Sequence, residues 1–433
     1  MTYVDGKAAL GAVAPGPAKT TAFDPDRLKQ KKPSLVSTII GYVVDHPYLL
    51  YAFLRRFLPI IVFRNWAFIS RYDDVIEVLR RQDVFNVPFG PKVEVLNAGP
   101  NFLLGMQDGP DYQAVHQVVV QAFPLSDNAA IVAPLAAVEA EAQLRACGGR
   151  IDAVKQLITL IPTRICERYY GVAVPDETRF AHVTIAMSTF MFGDPGNNPA
   201  VREEALKAGE ELRPIVDAAI AAARAGTGAG ADTVVNRLVK MADGKGNPVA
   251  DSEIRAILIG MITGFVPTNT MAGGHMLEML LRRPDMMAAA QAAARAGDDE
   301  LLKRCLWEAF RFMPLNPGPF RICQADAWVA QGTKRAKLIP KGTNMLVGTQ
   351  SAMFDPRRVE NPNAFEPDRN HKDQLTFGYG LHWCVGAGLA EAQITQTLKP
   401  LLKMKNLRRA PGPEGQLGKD GPFPAHLVVE FDA

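Results

Sequence analysis

Cysteine is scarce in this chain: five residues in 433, at Cys147, Cys166, Cys305, Cys323 and Cys384. An odd number at wide spacing excludes a disulfide framework and paired zinc-ligand motifs. A reducing compartment, the cytoplasm, is the expectation. An excess of charge is missing too, since 48 basic and 45 acidic side chains leave only +3. No general polyanion-binding role follows, and no nucleic-acid motif is present. The opening residues, MTYVDGKAALGAVAPGPAKT, lack the basic-then-apolar order of a secretory signal. The apolar region from Leu35 to Phe63 is broken by Asp45, His46, Arg55 and Arg56. It therefore holds no uncharged run of about 18 residues, and no membrane span is expected there. One further absence is local: no Asp or Glu stands between Glu253 and Glu278.

What is present is an ordinary globular composition, 48% hydrophobic, ample for a large core. Residues 1–32, rich in Ala, Gly, Pro and Lys, read as a loose N-terminal arm. PIIVFRNWAFISRY predicts strands, and DDVIEVLRRQ after it a helix with an acidic start. From Asp111 to Ala222 the pattern is mostly helical. Apolar residues at Ile254, Ile257, Leu258, Met261, Ile262 and Phe265 then mark one face of a helix running to about Arg283-Pro284. That helix contains Pro267, Thr268, Asn269 and Thr270 in a row. A proline there removes a donor and costs about 3 kcal/mol, so either a kink is tolerated or a site lies there. Another helix covers Asp299 to Phe312, and a last long one begins near Val385.

The most informative stretch is FGYGLHWCVG, Phe377 to Gly386. Gly378 and Gly380 permit a tight turn, and Gly386 lets a backbone approach a flat ligand. Cys384 falls at a helix N-terminus, where the dipole favours a thiolate. A thiolate so presented suits an axial haem ligand. A buried structural cysteine after a turn is the plainer alternative.

FGYGLHWCVG matches in full the signature Phe-Gly-x-Gly-x-His-x-Cys-x-Gly, and by it the chain resembles the cytochrome P450 family. Glu308 and Arg311 resemble the family's Glu-x-x-Arg pair, and Arg369 in FEPDR the third member of its buried charge network. The resemblance implies a mainly α fold with a smaller strand-rich region, a single domain over 33–433 and one haem b on Cys384. Phe377, Gly378 and Gly386 would frame the haem. It further implies that the long helix crosses the distal face, and that Arg321 and His382 meet the haem propionates. The segment 106–123 resembles the helix that reaches those propionates. The family's usual His or Trp and then Arg are replaced there by Tyr112 and His116, which are equally well read as ordinary helix residues.

The family's distal helix carries Ala/Gly-Gly-x-Asp/Glu-Thr, whose acid and alcohol deliver protons during dioxygen activation. Here Gly264 keeps the first glycine, Phe265 replaces the second, Pro267 replaces the acid and Thr268 keeps the alcohol. The resemblance thus implies a monooxygenase that hydroxylates an apolar small molecule, drawing electrons from a separate ferredoxin or flavodoxin with its reductase. Thr268, the Thr263 carbonyl freed by Pro267 and a water would replace the missing acid. Taken at face value, the missing acid instead suggests a fatty-acid hydroperoxide isomerase or peroxide-driven peroxygenase, with Asn269 orienting the peroxide. A non-catalytic haem-binding protein is the third alternative. Residues 94–106 and 183–193 fall where the family lines its substrate pocket, and both are apolar. Lys399, Lys403, Lys405, Arg408 and Arg409 form a basic cluster that could steer an acidic redox partner.

Overall fold

Twenty-two of the residues on the central helix, Asp251–Arg282, are buried, which is why its polar interior is so informative. The computed structural model describes residues 47–227, 232–243, 246–370 and 373–432. The expected arm at 1–32 lies outside these residues. Contacts divide the chain into a unit of Met1–Leu49, of which only 47–49 are described, and a unit of Leu50–Ala433. Everything below concerns the second unit.

Eight helices position the candidate site: α1 (Tyr72–Arg80), α2 (Gly90–Asn97), α3 (Pro110–Ala122), α4 (Glu177–Ser188), α5 (Pro199–Arg224), α6 (Asp251–Arg282), α7 (Asp299–Phe312) and α8 (Ala387–Lys403). Helix α6 starts where Glu253 folds its carboxylate back onto the Ala250 N–H at 3.2 Å, which satisfies an otherwise orphaned donor. It stops at Arg283, whose extended conformation precedes Pro284. By length and composition α6 could cross a membrane, yet 83% of its most apolar window is buried inside the protein. It is the axis of the core, packed on α4, α5, α7 and α8. Helix α7 is held at its start by Asp298, whose side chain accepts from the Leu301 N–H at 2.9 Å.

A five-stranded sheet flanks the helices. Its strands are β1 (Ile60–Phe63), β2 (Trp66–Ile69), β3 (Phe85–Asn86), β4 (Phe320–Cys323) and β5 (Asn344–Val347), in the order β1-β2-β5-β4-β3. Strands β2 and β5 run parallel, and the other pairs are antiparallel. Alternation along β4 buries Arg321 and Cys323, so a charged residue occupies a core position, opposite Met345.

Candidate active site

The FGYGLHWCVG loop is built by two left-handed glycines, Gly378 at φ 81° and Gly380 at φ 73°, a conformation that side chains disfavour. The turn closes when the Cys384 N–H donates to the Phe377 carbonyl at 2.9 Å. Gly386 has an ordinary φ of −89°. A Cβ there would lie 3.8 Å from the Cys384 sulfur, so what it contributes is an open face beside that sulfur. Helix α8 follows at Ala387.

Cys384 is accessible although protein surrounds it, because it opens onto an internal cavity of about 390 Å³. Burial pushes its thiol up, and the Gly386 N–H pulls the other way without overcoming it. The helix start alone therefore does not produce the thiolate expected from the sequence; a coordinating metal ion would. The same cavity is lined by Tyr112, Phe377, Gly378, His382 and Gly386, and from α6 by Gly264, Phe265, Thr268 and Asn269. Helix α6 thus faces the cysteine loop across one space. A Cβ built on Gly264 would meet nothing within 4 Å, so the helix surface at that point is bare.

The polar groups of α6 have definite partners. Thr268 donates its hydroxyl to the Gly264 carbonyl, one turn back. Pro267 has no N–H to offer the Thr263 carbonyl, yet the helix continues without interruption. Asn269, 2% exposed, donates through Nδ2 to Gln393 Oε1 on α8 at 2.8 Å. Gln393 passes the chain on to Thr397 Oγ1 at 2.7 Å. Thr270 bonds the Val266 carbonyl at 2.9 Å. Asn269 therefore spends one of its two amide protons on α8, which fixes the orientation of its side chain on the cavity wall.

Four residues expected near haem carboxylates differ in their environment. Arg321 is 3% exposed; its Nη1 donates to its neighbour's carbonyl, Phe320 O, at 2.8 Å, and its Nε has no partner. Among the described residues it has no acidic partner, although burial lowers its pKa only to about 10, so it stays charged at neutral pH. His382 Nε2 is buried and unpaired. Burial first, and then the Arg321 charge, push this ring down to about 4, so it is neutral at pH 7. Tyr112 differs from expectation: its hydroxyl donates to the Leu381 carbonyl at 2.7 Å. Its single proton braces the cysteine loop instead of awaiting a carboxylate. His116 stacks on Tyr112 at 5.8 Å and is absent from the cavity wall.

Behind the loop, Glu308 and Arg311 on α7 are both fully buried. Arg311 Nε and Nη2 reach Glu308 Oε2 and Oε1 at 2.9 and 2.7 Å, and Arg369 Nε reaches Oε1 at 3.0 Å. The remaining guanidinium protons bond carbonyls of Met353, Pro362, Glu360, Asn361 and Ala364. Glu308 is one carboxylate between two guanidiniums, and the second negative charge is Glu366, whose Oε2 lies 3.3 Å from Arg369 Nη2, so the buried charges are balanced as such a network requires.

The basic cluster is less cationic than the sequence suggests. Lys399 pairs with Asp299 at 2.5 Å, Arg408 with Glu430 at 3.1 Å and Arg409 with Glu278 at 2.8 Å. Sequence reasoning also passed over Trp307, Ser188 and Gln393. The first two line the cavity, and Gln393 lies 124 positions from its partner, beyond the reach of any local pattern.

Would these residues suit a haem? A cysteine sulfur open to an enclosed space, a buried guanidinium with an idle N–H and an unpaired imidazole nitrogen fit an iron-bearing ring with carboxylates. Cys384 would hold the iron, and Arg321 and His382 the carboxylates.

Comparison with known proteins agrees with this geometry. The Cytochrome P450 family model matches residues 222–412, a stretch that includes α6, the Glu308 network and the cysteine loop. The cytochrome P450 monooxygenase PikC of Streptomyces venezuelae is 28% identical over 266 residues, covering 61% of this chain and 58% of PikC. Mycinamicin IV hydroxylase/epoxidase of Micromonospora griseorubida is 26% identical over 358 residues, or 81% of this chain and 84% of that enzyme. Among solved structures, a mutant of P450 EryK in complex with erythromycin B has a TM-score of 0.75 at 24% identity, covering 90% of this chain and 97% of that one. CYP109E1 of Bacillus megaterium in complex with testosterone has a TM-score of 0.73 at 20% identity, covering 89% and 99%. The named relatives are monooxygenases and hydroxylases, and this chain belongs to the cytochrome P450 superfamily of oxidoreductases.

Proposed function

We propose that this protein is a haem-thiolate monooxygenase acting in the cytoplasm on an apolar small molecule. One oxygen atom of dioxygen enters a C–H bond and the other leaves as water, consuming two electrons and two protons. The electrons come from a separate ferredoxin or flavodoxin with its reductase. The observation that carries the proposal is the cavity itself, with the Cys384 sulfur on one wall and Gly264 and Thr268 of α6 on another.

Haem b, held by Cys384, would supply an iron centre with a thiolate behind it that favours oxygen–oxygen cleavage. The chain's own residues supply the rest. Arg321 and the neutral His382 would receive the haem carboxylates, the first as a charged fork and the second as a neutral donor. Tyr112 fixes the loop through Leu381, and Glu308, Arg311 and Arg369 stiffen the chain behind it. Thr268 can hold a proton at Oγ1 on the cavity wall. The Thr263 carbonyl is left without its helical donor by Pro267, and Thr263 is among the residues lining the cavity, so this carbonyl would take a water. Those two groups stand in for the absent acid. The hydroperoxide-handling alternative would have to use an Asn269 amide that already gives one N–H to Gln393.

The test is turnover of the haem-loaded protein with a surrogate ferredoxin and reductase under isotopically labelled dioxygen. One labelled oxygen per product molecule is expected. Unlabelled product, or product formed from a hydroperoxide without oxygen and electrons, overturns the proposal.

A further inference from the structure

Among the described residues lining the cavity there is no Asp, Glu, Lys or Arg. Arg321, which is not on the wall, is assigned above to the haem carboxylates, so a further ionised group brought into this space would lose its hydration and find no free counter-charge, which is heavily penalised. The wall nevertheless holds idle polar atoms. Three of its residues carry a buried polar atom without a partner: His382 Nε2, Trp307 Nε1 and Ser188 Oγ.

The first two belong to the neighbourhood of the cysteine loop: His382 is part of it, and the Trp307 ring packs on Phe377 at 5.7 Å. Ser188 belongs to another region. It is 1% exposed and ends α4, where the chain passes into a π-turn over Thr189–Gly193. Its lining neighbours there are Met191, Phe192 and Gly193, none with a polar side chain. A helical serine ordinarily bonds the carbonyl one turn back, as Thr189 does to Ile185 at 2.8 Å. Ser188 does not. The π-turn is also held in place: Lys92 of α2 donates to the carbonyls of Phe190 and Asp194 at 2.8 and 2.7 Å. A buried hydroxyl left idle in a fixed segment is unfavourable unless something completes it.

We propose that the substrate is an uncharged, otherwise apolar molecule carrying a hydroxyl or carbonyl oxygen, and that Ser188 Oγ is the hydrogen-bonding partner of that oxygen. This rests on the proposed function for the identity of the cavity as a substrate site. It makes Ser188 a specificity-determining residue, able to donate to a carbonyl or to exchange either role with a hydroxyl.

The test uses the haem-loaded protein and three probes that share a twelve-carbon chain: dodecan-1-ol, methyl laurate and laurate. Binding is measured by calorimetry and by the haem absorbance shift. The two neutral probes are expected to bind at least tenfold more tightly than laurate at pH 7.5. Ser188→Ala should weaken the alcohol and the ester about tenfold, equivalent to about 1.4 kcal/mol, while leaving laurate unchanged. Ser188→Arg should reverse the order, so that laurate binds best. Equal affinity for laurate and its ester, no binding of either neutral probe, or an unaltered alcohol affinity in Ser188→Ala overturns the proposal. Calorimetry reads the order of affinities without turnover. If that order holds but no labelled oxygen is incorporated, the oxidation chemistry is at fault and the substrate class stands.

Discussion

Asn269 of α6 and Gln393 of α8 are joined side chain to side chain, Nδ2 to Oε1 at 2.8 Å, with both residues buried. The bond lies two positions past Pro267, where α6 has lost a backbone donor, and it ties that helix to the one following the cysteine loop. Replacing Gln393 by Leu leaves the Asn269 amide buried without an acceptor, at a cost of about 1–3 kcal/mol. Removing the amide as well, in the Asn269→Leu/Gln393→Leu double variant, should recover part of that loss. Thermal unfolding of the two variants decides it: equal destabilisation would show that the Asn269 bond contributes nothing.

The Glu308 network should respond more strongly. Glu308→Gln leaves two buried guanidinium groups facing a neutral amide, and breaking a buried pair in this way costs about 3–5 kcal/mol. We expect a Tm lowered by several degrees and poor haem retention on gel filtration. A native-like Tm would mean that the carbonyls around Arg311 and Arg369 suffice alone.

Cys384→Ser should abolish the thiolate-type absorbance of the reduced carbon monoxide complex, while the Glu308 network keeps the fold. Survival of that band would remove Cys384 as the haem ligand.

Thr268→Ala removes the hydroxyl from the cavity wall. With oxygen and electrons supplied, peroxide release should rise at the expense of product by on the order of tenfold, about 1.4 kcal/mol in the partitioning. Pro267→Asp should move the balance the other way. Unchanged coupling in both would place proton delivery elsewhere.

His275 on α6 is buried, and burial, followed by the Lys419 charge, pushes it from 6.5 down to about 4, although Glu278 pulls the other way. In that window the unfolded chain binds the extra proton and the folded chain does not. Stability therefore rises with pH between about 4 and 6.5 and is lost as the medium is acidified, by up to about 1.4 kcal/mol per pH unit. His275→Gln should flatten the profile of Tm against pH below 6.5. An unchanged slope would assign the acid lability to other groups.

The parts of this fold that were legible in the sequence are those written at short range. Cys384 sits in a ten-residue motif, Glu308 and Arg311 lie three apart on one helix face, and α6 shows its apolar spacing. Pro267 and Thr268 mark their helix as unusual in the sequence alone. What was hidden depends on distant partners. The Tyr112 hydroxyl meets a carbonyl 269 positions away, so no local pattern shows that its proton is already used. Asn269 looked like a free amide for the same reason. The cluster at Lys399 to Arg409 looked cationic because Asp299, Glu278 and Glu430, which neutralise three of its members, are remote or on another strand. Ser188 was legible only as a member of an apolar segment.

The cavity wall draws on residues from Val93 to Phe423. As a ribosome lengthens the chain, Arg321 emerges well before Cys384, and Pro422 and Phe423 later still. The guanidinium is thus made first and the sulfur that would anchor a ring afterwards. The full wall can therefore be assembled only after the last of these segments has been made.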